Sequence, residues 1–308
     1  MNQCASNILM IRPASFQYNE QTAASNDYQQ KTKLSKEETI EKAQEEFDNM
    51  VEILEQNDIN VWVIEDSKLP EKPDAVFPNN WISMHQNGDM YLYPMKTANR
   101  SAERRSEVIE FIEDNFEVNN VLDWSKYEKD GLALEGTGSM VFDHAHHKVY
   151  ACISPRTNEK LLKKFCAEIN YEPIMFHAYK RNGAEQYHTN VVMCVGEEFV
   201  VVCLDSITNK AEKTEVKSSL EQDGFEIIEI TSQQLEEHYA GNMLQVYNDN
   251  LMSYLVMSER ALKSLTPHQL NQIEAHTEII AVPIYFIEEV GGGSARCMMA
   301  EIFLEEQG

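Results

Sequence analysis

Basic residues are scarce in this chain. Its 308 residues include 26 lysines and arginines against 51 aspartates and glutamates, a formal net charge of -25. Such a field repels phosphate backbones and anionic membranes, which argues against nucleic-acid and membrane partners. Long apolar runs are absent as well: no stretch approaches the ~18 consecutive apolar residues expected of a membrane-spanning helix. The opening segment, MNQCASNILMIRPASF, lacks the basic start and long apolar stretch of a secretory signal. The six cysteines (Cys4, Cys152, Cys166, Cys194, Cys203 and Cys297) form no CxxC pair. That excludes a zinc ribbon, and a chain of this size needs no disulfide framework. The expectation is a reduced, soluble, cytoplasmic protein. Length alone fits one large domain or two ordinary ones, with ample chain for a core.

Helix-start signals recur along the chain. Ser35 and Glu38 form a capping box that opens an amphipathic helix towards Gln56. Ser101, followed by Glu103 and Glu107, reads as another start. So do Thr157-Asn158, Thr208-Asn209 and Thr266-Pro267. A short apolar run follows each helix, as in NVWVIE, NVLDW, EPIMF, FEIIEI and EIIAVPI, and most helices follow a pair of apolar runs. The clearest pair is TNVVMCVGEEFVVVCL, read as two strands around a glycine-containing turn. Strand, strand, helix, strand thus repeats about five times at intervals of roughly fifty to seventy residues, a period suited to a closed array. Asn79, Asn80, Glu135, His188 and Asn242 lie at the entries to successive units, and Cys297 is placed in the last strand, after Gly291–Gly293. Closure of such an array would gather them at one place.

Cys297 follows a glycine-rich loop, where absent side chains give access and free the backbone. A nucleophile fits that position, and so does an inert core thiol, the reading given to Cys152, Cys194 and Cys203 inside apolar strands. His188, read at the start of a buried strand, is the available base, because cysteine hydrolases need an imidazole within hydrogen-bond reach. Glu135, beside a glycine-flanked turn, suits orienting that histidine or holding a substrate N–H; a solvated loop acid fits as well.

The segments DAVFPNNW (74–81), LEGTGS (134–139), SPRTN (154–158), YHTN (187–190) and GGGSARCM (291–298) together resemble the pentein superfamily. That superfamily includes arginine deiminases, dimethylarginine dimethylaminohydrolases and amidinotransferases. The resemblance implies a single domain over residues 1–308, an α/β five-bladed propeller of ββαβ units. It implies Cys297 as nucleophile, His188 as acid/base and Glu135 as the acid beside them. It also implies a substrate pocket of Asp74, Phe77, Asn79, Asn80, Asn190 and Asn242. Arg156 and Arg104 are the implied carboxylate clamps, with Arg105 an alternative to Arg104. The partner implied is a small amino acid, no metal or organic cofactor is required, and a homo-oligomer is compatible.

Two departures bear on the substrate. Deiminases of this superfamily carry aspartates where this chain has Asn80 and Asn190. A carboxylate pair matches a guanidinium, which only donates hydrogen bonds, whereas an amide both donates and accepts. Two buried carboxylates facing a neutral ureido oxygen would go unpaired, at a cost on the kcal/mol scale. The expectation is therefore citrulline or a close ureido amino acid, with Glu135 as the single acid. The alternatives are arginine, a methylarginine, amidino transfer, or a non-catalytic pentein resembling ribosome anti-association factors. The negative charge disfavours the last.

Other features point to no chemistry. Asp143, His144, His146 and His147 fall at an expected hairpin tip with no closed zinc spacing. Gly291–Gly293 lacks the GK[ST] of a phosphate loop. The polar segment Tyr18–Tyr28 reads as a lid or a plain loop.

Overall fold

Side-chain caps fix where the helices begin. In the computed structural model, which describes residues 2–308, Ser35 and Glu38 form the reciprocal capping box of helix Lys36–Glu55. Asn158 caps Glu159–Ile169, Asn209 caps Lys210–Gln222, and Thr231 and Thr266 form further capping boxes on Ser232–His238 and Pro267–Glu274. Each helix turns an apolar stripe onto a sheet; from Lys36–Glu55 the buried residues are Thr39, Ala43, Phe47, Met50 and Leu54.

The strands, in chain order, are β1 (Asn7–Arg12), β2 (Asn60–Glu65), β3 (Ile82–Met84), β4 (Asp89–Leu92), β5 (Asn120–Asp123), β6 (Val141–Asp143), β7 (Lys148–Cys152), β8 (Glu172–Phe176), β9 (Met193–Val195), β10 (Phe199–Val202), β11 (Glu226–Glu229), β12 (Leu244–Tyr247), β13 (Ser253–Ser258), β14 (Glu278–Val282) and β15 (Ala300–Ile302). One pattern repeats through them. A first strand pairs antiparallel with a second, and after a helix the third lies parallel to the second. Four units follow in order from β3 to β14. The fifth joins the two ends of the chain: β15 pairs antiparallel with β1, and β1 parallel with β2 across helix Lys36–Glu55.

The fold is thus α/β, built from five ββαβ units. The hydrogen bonds do not close them into one ring: there are three three-stranded sheets and one six-stranded sheet, the latter joined where β15 meets β3 at Ile302 and Met84. No helix among the described residues is long and apolar enough to cross a membrane.

Some local expectations differ from the structure. Thr189–Val192 is a helical turn rather than the start of a strand, so the hairpin there is only β9 and β10. Cys297 lies in a 3-10 turn, Ala295–Met298, before the last strand rather than in it. Ser101 ends a short helix, Ala98–Ser101, and the long one begins at Ser106. Glu103, between the two helices, is drawn inward by Arg100 and lies buried. Gly291 closes a further helix, Tyr285–Gly291, which Gly292 caps, so the glycine run is packed rather than open.

Candidate active site

Before the first strand of each unit the chain makes a tight approach. Pro78–Asn80 precedes β3, Gly136–Ser139 precedes β6, Thr189–Val192 precedes β9, Asn242 precedes β12 and Ala295–Met298 precedes β15. The turn at Gly136 packs on those at Pro78 and Thr189, and the turn at Pro78 packs on that of Cys297. Glycine permits the closest of these contacts. A Cβ on Gly136, whose φ is +46°, would stand 2.3 Å from the Asn79 carbonyl oxygen. One on Gly138 would stand 2.4 Å from Asn80 Nδ2 and 2.7 Å from His188 Nδ1. The LEGTGS segment therefore specifies a close approach of main chain to two site residues.

The thiol of Cys297 is buried and receives two amide donors: Asn190 Nδ2 and Asn242 Nδ2 each lie 3.3 Å from Sγ. Asn242 is itself fixed by donating to the Asn190 carbonyl at 2.9 Å. His188 Nε2 meets Glu135 Oε2 at 2.8 Å, and Glu135 Oε1 accepts from the Lys96 amide at 2.9 Å. Burial works against the charge on Glu135, but Arg156, whose Nη1 is 3.5 Å away, and the bond to His188 prevail and hold its pKa down at about 2. Burial pushes His188 down to about 4 against the pull of Glu135. At neutral pH the pair is therefore a carboxylate and a neutral imidazole. An ionised carboxylate only accepts, so Nε2 carries the proton and Nδ1 is left as the acceptor.

Asn79 and Asn80 stand beside this set. Asn80 Nδ2 donates to Asn79 Oδ1 at 3.0 Å, and Asn79 Nδ2 to Thr137 Oγ1 at 3.1 Å. Phe77 packs its ring against Gly291 and Gly293. Asp74 is buried, accepts from Asn19 at 2.7 Å, and is raised in pKa by burial against the pull of Arg100. Glu135 is thus not the single acid in this region. Three acceptors in the region have no partner among the described residues: Asp74 Oδ1, Asn190 Oδ1 and Asn242 Oδ1.

The arginines are placed differently from the expectation. Arg104 turns to Glu128 at 2.7 Å and to the Tyr93 carbonyl, and Arg105 to Asp66 and the Glu65 carbonyl. These contacts bring neither to the thiol. Arg156 does reach the site, where it serves Glu135 and the segment running from Asn19 to Gln29: it donates to Ser25 Oγ at 2.8 and 3.1 Å and to the Thr22 carbonyl at 3.4 Å. The stretch Tyr18–Tyr28, read as a lid or plain loop, makes up most of that segment and lies across the site. Asn19 holds Asp74, and Asn26 donates to the Gly291 carbonyl at 3.3 Å. Sequence reasoning missed Arg100, which is buried and donates to Asn80 Oδ1 at 2.8 Å. Its three-residue spacing from Glu103, an ion-pair spacing on a helical turn, was the available signal.

A buried thiol with two N–H donors, one of them two residues from a neutral imidazole backed by a carboxylate, has the parts of a cysteine hydrolase that works through a covalent intermediate. A family model described as N,N dimethylarginine dimethylhydrolase, eukaryotic, matches residues 12–304. The chain belongs to that family, within the pentein superfamily of C–N hydrolases. Among solved structures it is similar to the N-terminal domain of ArgZ, an arginine dihydrolase from Cyanobacteria, in a form covalently bound to a reaction intermediate. Identity there is 16%, over 97% of this chain and 99% of that one, with a TM-score of 0.71. It is similar also to AgrE in complex with L-arginine, at 14% identity over 95% of this chain and 39% of that one, TM-score 0.73. A third is DDAH from Pseudomonas aeruginosa, a cysteine-to-serine mutant complexed with citrulline, at 15% identity over 96% and 99% of the two chains, TM-score 0.65. At these identities the likeness is one of fold. No curated protein matches the chain in sequence.

Proposed function

We propose that this protein hydrolyses the ureido group of citrulline or a close ureido amino acid, with Cys297 as nucleophile, His188 as proton carrier and Glu135 as its anchor. One catalytic domain, a five-bladed propeller whose blades are the five units, would carry all three. The supporting observation is the balance of free groups in the site. The free oxygens of Asp74, Asn190 and Asn242 are acceptors, while Asn80 Nδ2 supplies a donor beside His188. A ureido group has three N–H donors and one oxygen acceptor; a guanidinium has donors only.

In this mechanism the Cys297 proton passes to His188 Nδ1 as sulfur attacks the ureido carbon, and Glu135 stabilises the imidazolium. The amide donors of Asn190 and Asn242 stabilise the developing thiolate. The imidazolium then gives its proton to the departing side-chain nitrogen, releasing ornithine and leaving a thiocarbamoyl enzyme. Water, deprotonated by His188, cleaves the thioester-like bond. The carbamate formed breaks down to ammonia and carbon dioxide, so citrulline and one water yield ornithine, ammonia and carbon dioxide.

A guanidino substrate is the second reading, favoured by the buried Asp74 carboxylate and by the activity in the family's description. The two are separated by incubating the purified protein with citrulline, arginine, agmatine and methylated arginines and assaying ammonia and ornithine. Both products should form fastest from citrulline. Faster conversion of arginine would overturn the asparagine argument.

A further inference from the structure

Arg100 lies outside the catalytic trio and makes no contact with the thiol, yet it is among the most deeply buried charges in the protein. Glu103 holds it in a two-pronged pair, Nε to Oε1 and Nη2 to Oε2, both at 2.9 Å. Nη2 also donates to the Phe77 carbonyl at 3.0 Å. These three bonds fix the plane of the guanidinium. The remaining nitrogen, Nη1, then points at Asn80 and donates to Oδ1 at 2.8 Å.

An arginine has no acceptor to offer, so an asparagine facing it can present only its oxygen. Turning the Asn80 amide over would set N–H against N–H in a buried site and leave Nη1 without its acceptor. The other end of the amide is therefore forced towards His188, over Gly138. There one Nδ2 hydrogen goes to Asn79 Oδ1, and the second is available to a ligand. Without Arg100, the same amide could turn and present an acceptor, which suits a guanidinium as well as a ureido group.

We infer that Arg100 is a positioning residue which sets the polarity of the pocket at Asn80, making it a hydrogen-bond donor and so favouring a ureido oxygen over a guanidino nitrogen. The inference rests on the ureido reading above. Glu103 belongs to the same device, because it fixes the angle from which Arg100 reaches Asn80.

The test is the ratio of kcat/KM for citrulline to that for arginine, measured in the wild type, Arg100→Lys and Glu103→Gln. General damage lowers both substrates together and leaves the ratio in place, whereas a change of polarity moves it. A lysine keeps the charge but cannot hold Glu103 and Asn80 in one plane. The ratio should fall by about tenfold or more in Arg100→Lys, the effect of about one charge-assisted hydrogen bond. It should fall less in Glu103→Gln, which decides the matter if Arg100→Lys does not fold. In an Asn80→Ala background, Arg100→Lys should move the ratio no further. A wild type that prefers citrulline, with the ratio unchanged in the folded variants, would overturn the role of Arg100 alone. A wild type indifferent to the two substrates would overturn this role and the ureido reading together.

Discussion

Buried polar residues occur both at the entries to the five units and deeper along the same strands, and the two sets are finished differently. Deeper in, His144 Nδ1 meets the Tyr171 hydroxyl at 2.9 Å and His85 Nε2 the Ser83 hydroxyl at 2.8 Å. Gln3 bonds to the Phe142 and Val195 carbonyls and to the His144 amide. At the entries, by contrast, Asn190 and Asn242 each leave an oxygen without a partner, as does Asp74 nearby. Burial alone does not separate these regions, since both lie inside the protein. Although Asp66 Oδ2 and Arg105 Nε, away from the thiol, are open as well, incompleteness separates the residues named. A buried polar group left open costs about 1–3 kcal/mol unless something fills it, and a substrate is what would fill these.

The cysteines make the same contrast, and they supply the largest expected effect. Cys194 sits mid-strand in β9, where burial pushes its thiol up to about 12. Cys297 is as buried but is met by two N–H donors. Cys297→Ala should abolish ammonia release, a loss of about 10³-fold or more, and remove labelling by an amidine electrophile. Cys194→Ala should retain turnover and lose about 1–2 kcal/mol in chemical denaturation. Electrophile labelling at Cys194 instead would erase the contrast.

Next in size is the carboxylate behind the imidazole. Glu135→Gln should lower kcat by about 10²-fold by leaving the imidazolium without its counter-charge. His144→Asn, a change at another buried residue in the completed region, should lower thermal stability and leave kcat within about twofold. A comparable loss of kcat from both would mean that the deeper set shares in the chemistry.

Acidity sharpens the comparison from another side. Burial pushes His85 and His188 down to about 4 and His144 to about 3, from an ordinary value of 6.5. The unfolded chain therefore takes up protons at these positions before the folded one does. Their contribution to stability is full above pH 6.5 and falls as the pH drops towards 4. NMR titration should find all three imidazoles still neutral at pH 5.5, and the acid limb of kcat/KM attributable to His188 should lie near pH 4. A His188 resonance titrating near 6.5 would contradict the neutral-imidazole mechanism.

The smallest effect belongs far from both regions. Asn158 caps helix Glu159–Ile169 by accepting from the Leu161 amide at 3.1 Å. Asn158→Ala should cost about 1 kcal/mol of stability with kcat unchanged, and calorimetry beside a turnover assay would check both.

Much of this was legible in the sequence where a local rule decides it. Caps at Ser35, Asn158, Asn209 and Thr266 announced four helices, and the recurring strand pairs announced the five units. The positions of Asn80, Glu135, His188 and Asn242 at unit entries followed from that pattern, whereas Cys297, read in the last strand, lies in the turn before it. Features set by packing were hidden. The turn at Thr189–Val192 is helical although its composition favours a strand, because a short turn brings Asn190 beside the thiol. Arg100 is singled out by no motif, because what defines it is its enclosure by Glu103 and Asn80. The segment from Asn19 to Gln29 carries no periodicity; its order comes from long-range bonds to Asp74, Arg156 and Gly291.

Cys297 is proposed to attack a neutral ureido carbon. The most direct measurement is acid quenching of the enzyme during turnover of citrulline, followed by peptide mass spectrometry. A carbamoyl group on Cys297, absent when arginine replaces citrulline, is the predicted result. An amidino group on Cys297 from arginine, with none formed from citrulline, or an adduct at any other cysteine, would contradict it.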